Sequence, residues 1–290
     1  MGKEPKILTK CSMSDIWNKE AIDFTPWLSK HLSELSEVLD LSLNPKGTEV
    51  SIGKKRCDIL ATEGIDGNKV IIENKFEKID HSHIGQGITY LTNIGAKTVI
   101  WVCEKFSEEH LVAIQKLNEM TDETFSFYAV RINTYNVQGD FYYDYAVEAK
   151  PNYLTKSNGL SATALRYYNA WQELAEKVGS KFDVKVYGRS YNEFRLPISG
   201  MKLGTSLSKN TQDVYFWTYD DDLYKKFSKF INDKKYSNVF IAKAGVKNPN
   251  CQTWVVTRPE SSKESFDMQW TADQLKKAYE IAQEYYHQNN

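Results

Sequence analysis

The chain has 290 residues, 41% of them hydrophobic and 26% charged, with 37 Lys+Arg against 38 Asp+Glu. That length suits two domains or one large one, and that composition is of an ordinary globular chain able to bury a core. A net charge of −1 excludes strong whole-chain attraction to polyanions, although residues 151–290 hold 20 basic and 15 acidic side chains and residues 1–150 hold 17 and 23. An acidic front half and a basic rear half fit a division into chemistry and phosphate contact; an imbalance of this size also arises by chance. No apolar run reaches the eighteen residues of a membrane span, and MGKEPKILTKCSMSD lacks the apolar core of a signal peptide. Cys11, Cys57, Cys103 and Cys251 form no CxxC pair and no zinc spacing with histidine. They point to reduced thiols, a cytoplasmic protein and no structural zinc, with Cys57 and Cys103 buried.

In chain order, SDIWNKEAI (14–22) reads as a short capped helix or turn. FTPWLSKHLSELSEVLDLSL follows as one helix, Pro26 in its first turn and Leu28, Leu32, Leu35 and Leu39 on one face, ending near Asp40. Asn44 to Gly47 is a turn cluster. Glu49 to Ile52 and Arg56 to Ala61 pair as a hairpin bent at Gly53-Lys54, and Asp66-Gly67-Asn68 turns into a third strand, Lys69 to Phe76. A helix from His81 stops at Gly95, with Asp80 as its cap and Ile84, Ile88 and Leu91 on one face. A buried strand (97–102), a helix capped by Ser107, and strands at 125–132 and 142–147 complete the first half. This order predicts an α/β (α+β) fold, a mixed sheet flanked by helices, over residues 1–152.

Ala149 to Gly159 is the linker candidate. Beyond it, residues 160–290 read as a smaller α+β domain. Its helices are ATALRYYNAWQELAEKV, DDLYKKFSKFINDKK and WTADQLKKAYEIAQEYY, and its strands lie at 183–187, 193–198, 214–219, 238–242 and 252–257.

The chemistry concentrates in EVSIGKKRCDILATEGIDGNKVIIENK, residues 49–75. Asp58, then Glu73-Asn74-Lys75, has the form D-x14-E-x-K. Strand side chains alternate, so Glu73 and Lys75 share a face and Asn74 takes the other. Two acids and a lysine meeting at a sheet end can hold a divalent cation and position a water. The bare pattern arises by chance, and an ion-pair ladder on a half-buried sheet is the plain alternative. Context favours the site: the acid-x-Lys follows an apolar strand, a hairpin separates it from Asp58, and Gln86 and Tyr90 share one face of the next helix.

On these residues the sequence resembles the PD-(D/E)XK nuclease superfamily, which has a restriction-endonuclease-like core. TPWLSKHL, IENKFEKIDHSHIGQGITYL and FSEEHLVAIQKLNEMT look like a group of uncharacterised bacterial proteins in which this core precedes a C-terminal domain of unknown function. The resemblance covers residues 20–150 and is thin beyond 160. Cys57 stands where the nominal motif has proline, a position that varies. The resemblance implies that Asp58, Glu73 and the main-chain carbonyl of Asn74 coordinate Mg²⁺ or Mn²⁺. Lys75 would then orient a water and stabilise developing charge, Glu49 would bind a second metal or a metal water, and Gln86 would position water or phosphate, with Tyr90 in support. The implied partner is nucleic acid, DNA before RNA, in defence or DNA repair, with no membrane and with a homodimer compatible.

Other candidates carry bland alternatives. Lys54, Lys55 and Arg56 form a basic hairpin tip, a phosphate contact or a solvated turn. His81 and His83 flank Ser82 at the rim of the predicted cleft, as substrate contacts, metal ligands or exposed imidazoles at a helix start. Trp217, Tyr219, Tyr187, Tyr191, Arg189 and Arg195 mix aromatic and basic residues as stacking surfaces do, though alternating aromatics are more often sheet core. Asp220-Asp221-Asp222 reads best as a helix cap. There is no Walker loop, GxGxxG, GxSxG or HExxH, so a nucleotide-driven motor, dehydrogenase or serine hydrolase has no support. The rival to a metal-dependent nuclease is a non-catalytic module that binds nucleic acid or protein on a nuclease-like fold.

Overall fold

Val70, Ile71 and Ile72 are fully buried, as are Val99 to Cys103. Strands apolar on both faces need helices on both sides, and the computed structural model shows that arrangement. It describes residues 7–64, 66–152, 160–208, 211–244, 251–259 and 266–289. The chain divides into two units, Met1–Gly159 and Leu160–Asn290.

The first unit runs β1 (Thr9–Cys11), a 3-10 turn (Met13–Asp15), a π-helical turn (Glu20–Phe24), α1 (Thr25–Lys30), α2 (Leu32–Leu39), β2 (Leu43–Ile52), β3 (Lys55–Glu63), β4 (Asn68–Lys78), α3 (His81–Ile94), β5 (Thr98–Lys105), α4 (Glu108–Met120), β6 (Ser126–Val137) and β7 (Asp140–Ala149). The sheet order is β1-β6-β5-β4-β3-β2, with β7 also on β6. β2, β3 and β4 pair antiparallel; β4, β5 and β6 pair parallel through the crossover helices α3 and α4. Leu28, Leu32, Leu35 and Leu39 pack on Ile59, Val70, Ile72 and Ile100. Tyr90, Leu91 and Ile114 pack on the opposite face with Ile71, Val99 and Trp101. The mixed sheet flanked by helices is the one predicted.

Three local expectations need correction, and one short strand was not expected. The leucine-rich segment is two helices, broken at His31, whose Nδ1 lies 2.8 Å from the Trp27 carbonyl and whose ring stacks on Trp27 at 4.5 Å. Both pieces still feed one core. Residues 44–47 are not a turn but part of β2, with a register shift between Pro45 and Gly47; an outer strand tolerates proline there. Ser107 precedes α4, yet its hydroxyl makes no cap bond and is buried without a partner. β1, three residues long, had no pattern to reveal it.

Two glycines of α3 behave oppositely. A Cβ on Gly87 would sit 2.8 Å from Val99 Cγ1 and 2.9 Å from the Trp101 ring, whereas one on Gly85 would meet nothing within 4 Å. Gly85→Ala is therefore expected to stabilise by roughly 0.5–1 kcal/mol through helix propensity. Gly87→Ala is expected to destabilise by about 1–3 kcal/mol, overpacking outweighing the same propensity gain. Thermal melts of the two variants check the sign of each.

The second unit holds α5 (Ala162–Val178), β8 (Tyr191–Arg195), β9 (Met201–Leu207), β10 (Thr211–Thr218), α6 (Asp221–Asp233), β11 (Ile241–Ala244), β12 (Gln252–Pro259) and α7 (Met268–Asn289). The sheet β11-β12-β10-β9-β8 is antiparallel throughout. Trp171, Leu174, Phe216, Phe227, Trp254 and Leu275 share its core. Residues 183–187 are not a strand; the Asn192 side chain takes the backbone bonds of Lys185 at 2.9 and 3.0 Å in place of a ladder. β9, which sequence reading missed, is half polar and carries Gly204. Asp220 Oδ1 caps α6 by accepting the amides of Asp222 and Leu223. Trp217 and Tyr191 are buried. Of the linker candidate, residues 153–159 lie outside the described residues. All four cysteines are free thiols, Cys57 and Cys103 buried. Among the described residues no helix is long and apolar enough to cross a membrane.

Candidate active site

Pairing between β3 and β4 runs from Glu63 opposite Asn68 to Ile59 opposite Ile72, and ends there. The next residues are Asp58 and Glu73. β3 goes on pairing with β2 to Lys55, and β4 with β5 to Lys78, so the sheet forks at this point. Across the fork, side chains replace the ladder. The Asn74 N–H donates to Asp58 Oδ2 at 2.8 Å, and the Asp58 N–H donates to Glu73 Oε1 at 3.3 Å. Each carboxylate satisfies an amide of the other strand, as buried backbone groups require. Asn74 points to the other face, where its amide group and the Thr25 hydroxyl lie 3.0 Å apart. That contact ties α1 to β4 and fixes the peptide beside Glu73.

The site is crowded with negative charge. Burial pushes the Glu73 carboxyl up to about 8, with the neighbouring Asp58 charge adding to it. Burial likewise raises Asp58, to about 6; the Asn74 amide opposes this, while Glu20 and Glu49 add to it. The pair thus retains a proton near neutral pH. Glu49 lies between the paired positions Thr48/Ile59 and Val50/Cys57, close enough for its charge to act on Asp58. Its φ is +53°, a left-handed conformation that costs a non-glycine residue about 1–3 kcal/mol. Its Oε1 is buried without a hydrogen-bond partner. Strain and an unsatisfied acceptor in one residue mark a position that folding alone does not favour.

Lys75 Nζ lies 3.5 Å from Glu20 Oε1, and the Phe76 N–H donates to Glu20 Oε2 at 2.6 Å. Glu20 therefore bridges the lysine and the backbone of its strand. Sequence reading missed it, because the partners are 55 residues apart and Glu20 sits in a π-helical turn with no motif of its own.

The remaining candidates divide. Tyr90 is 2% exposed, and its hydroxyl donates to the Arg56 carbonyl at 2.9 Å. Burial and then the Glu73 charge push its phenol up to about 12, which places it beside the pair. Gln86 turns along its own helix, Nε2 donating to Ser82 Oγ at 3.1 Å. His83 is held by Asp80 at 2.7 Å and lies near enough to act on the Asp58 carboxyl, in the direction opposite to burial. His81 is drawn away to His110, their ring nitrogens 2.8 Å apart. Lys54, Lys55 and Arg56 are exposed at the hairpin tip. The Cys57 thiol, buried beside Glu73, is pushed far up and is not a nucleophile. Among the described residues no three His, Cys, Asp or Glu side chains are gathered as a ready metal cluster.

No family model matches the chain. No curated protein matches it either. Among solved structures it is similar to a repair endonuclease from Pyrococcus abyssi, with 18% identity and a TM-score of 0.30 over 34% of this chain and 44% of that one. It is also similar to EndoMS in a complex with double-stranded DNA, with 19% identity and a TM-score of 0.28 over 39% of this chain and 44% of that one. The chain thus spans less than half the length of either structure, at TM-scores too low to assign a common fold.

Proposed function

We propose that residues 1–152 are a divalent-metal-dependent nuclease that hydrolyses phosphodiester bonds, and that residues 160–290 choose its substrate or partner. One observation carries this reading: the Asp58–Glu73 pair at the sheet fork, Glu73 buried and Asp58 half-buried, and short of positive charge. A structural ion pair would be neutralised by its neighbours; here Lys75, two residues along β4, is engaged with Glu20, and His83 is engaged with Asp80. The donor set fits Mg²⁺ or Mn²⁺: hard oxygens, few of them, from the Asp58 and Glu73 carboxylates, the Asn74 carbonyl and the unpartnered Glu49 Oε1. When bound, such a cation supplies positive charge to phosphoryl oxygens and acidifies water. Lys75 holds an ammonium at the same strand end, where it orients the attacking water and meets charge developing on phosphorus. Glu20 positions Lys75. DNA is preferred to RNA on the resemblance of the motif.

The direct test incubates the full chain with plasmid and with single-stranded DNA in Mg²⁺, Mn²⁺ or chelator. Cleavage that requires the metal is expected, and inertness toward both substrates in both metals would overturn the reading. Glu20→Gln, which frees Lys75 without removing it, is expected to lower kcat roughly 10-fold with KM little changed, as misplacement of a catalytic group does.

A second reading, a non-catalytic binding module, is favoured by the lack of a three-residue metal cluster among the described residues. Calorimetry separates the two: no divalent-cation binding together with salt-sensitive DNA binding supports the module.

A further inference from the structure

A cleft of about 490 Å³ opens across the ends of β5, β6 and β1, lined in part by Lys10, Ser12, Lys105, Arg131 and Thr134. Its cations follow the order of the strands. Lys105 is on β5, Arg131 on β6 and Lys10 on β1, and Arg131 stands opposite Cys103, which in turn stands opposite Lys75 on β4. With exposed Lys78, which pairs with Lys105, each of four adjacent strands carries one cation; the four are staggered along the strands, Arg131 level with Cys103 and Lys10 with Tyr135, and form a staggered row across the sheet. At ~4.8 Å between strands, the four strands span roughly 14 Å across the sheet, room for more than one phosphate of a chain.

The two acids lining the cleft are turned to backbone amides. Asp15 accepts the Ser12 N–H at 2.8 Å, and Glu104 accepts the Met13 N–H. Arg131 is braced by Glu148 and Asn133, each at 2.6 Å, and Lys10 reaches Asn133 at 3.3 Å. Lys105 and Lys10 are exposed. A braced guanidinium between two exposed ammonium groups suits successive phosphates better than one compact anion.

We propose that this row is the track for the nucleic-acid strand on one side of the scissile bond, gripping its phosphates without reading its bases. The inference rests on the nuclease reading for its direction, but its test needs no cleavage. A fluorescent 15-nucleotide DNA is titrated with the full chain in chelator at several salt concentrations, beside Lys10→Glu/Lys105→Glu. The wild type is expected to bind, and the double variant to bind at least ~10-fold more weakly. The slope of log affinity against log salt should fall by about 1.4, at ~0.7 for each phosphate no longer neutralised. Mn²⁺ binding, measured by calorimetry, should stay at the wild-type value. Equal binding and equal slope in wild type and variant would overturn the track while leaving the nuclease reading intact, as would a wild type that does not bind. Displacement of the DNA by low-millimolar inorganic phosphate would also overturn it, in favour of a small-anion site. Loss of binding in the variant, with a wild type that cleaves nothing in any metal, would keep the track and remove the nuclease.

Discussion

Asp58→Asn and Lys75→Ala are each expected to slow DNA cleavage by at least ~100-fold, the scale on which one charged group at a reacting centre acts. Asparagine keeps the shape of Asp58, and its side-chain oxygen can still accept the Asn74 N–H that Asp58 Oδ2 takes at 2.8 Å. What it loses is the charge, and with it a hard anionic ligand. Lys75→Ala leaves the carboxylates in place and removes the cation beside them. The two changes should be far from additive, because both act on one step. Neither should unfold the chain. Asp58→Asn removes a carboxyl that burial disfavours, so the metal-free variant should melt no lower than the wild type above pH 6. The measurement is single-turnover cleavage of a labelled duplex in Mg²⁺, with circular dichroism melts alongside. A folded double variant that cleaves at the wild-type rate would remove these residues from the chemistry.

The second large effect is on stability against pH. Glu73 and Asp58 are pushed up to about 8 and about 6 by burial, from ordinary carboxyl values near 4. Their folded-state values are raised, so between pH ~4 and ~8 the folded chain binds more protons than the unfolded one. Stability then falls as pH rises through that window. The metal-free protein is expected to lose stability of the order of a few kcal/mol from pH 5 to pH 8.5. Glu73→Gln should flatten most of this slope. Metal must displace the retained proton, so Mn²⁺ affinity should rise about tenfold per pH unit between pH 6 and 8. Denaturant titrations at fixed pH steps, with and without Mn²⁺, read both. A stability that rises with pH across the window would contradict a pair that retains its proton.

Much of this site was legible in the chain. Alternation placed Glu73 and Lys75 on one face, and the apolar run before them marked the strand that carries them. The Gly53-Lys54 and Asp66-Gly67 signals defined the meander that brings Asp58 opposite Glu73. Glu20 was not legible, because its partnership depends on how a π-helical turn packs rather than on spacing. The strain at Glu49 was not legible either: nothing in EVSI distinguishes a left-handed glutamate from a regular one. The break at His31 arises from a side chain competing for a helical carbonyl, which leucine periodicity cannot register. In the second unit, β9 escaped because polar residues and Gly204 interrupt its alternation, while residues 183–187 carry an alternation that the Asn192 side chain overrides.

The fork between β3 and β4 also bears on how the chain reaches its native state. Glu49, Asp58, Glu73 and Lys75 all belong to one antiparallel meander closed by short turns, whereas β5 and β6 join it in parallel after a helix each. Short loops close at little entropic cost and early; parallel crossovers are slow. The carboxylate cluster can therefore assemble before the rest of the sheet, and its mutual repulsion is met while β4 still has an open edge. Glu20 and the β5–β6–β1 cations come from outside that meander. The acidic half of the site forms from local segments, and the groups that hold its lysine and carry the strand arrive only when the distant ends of the unit dock.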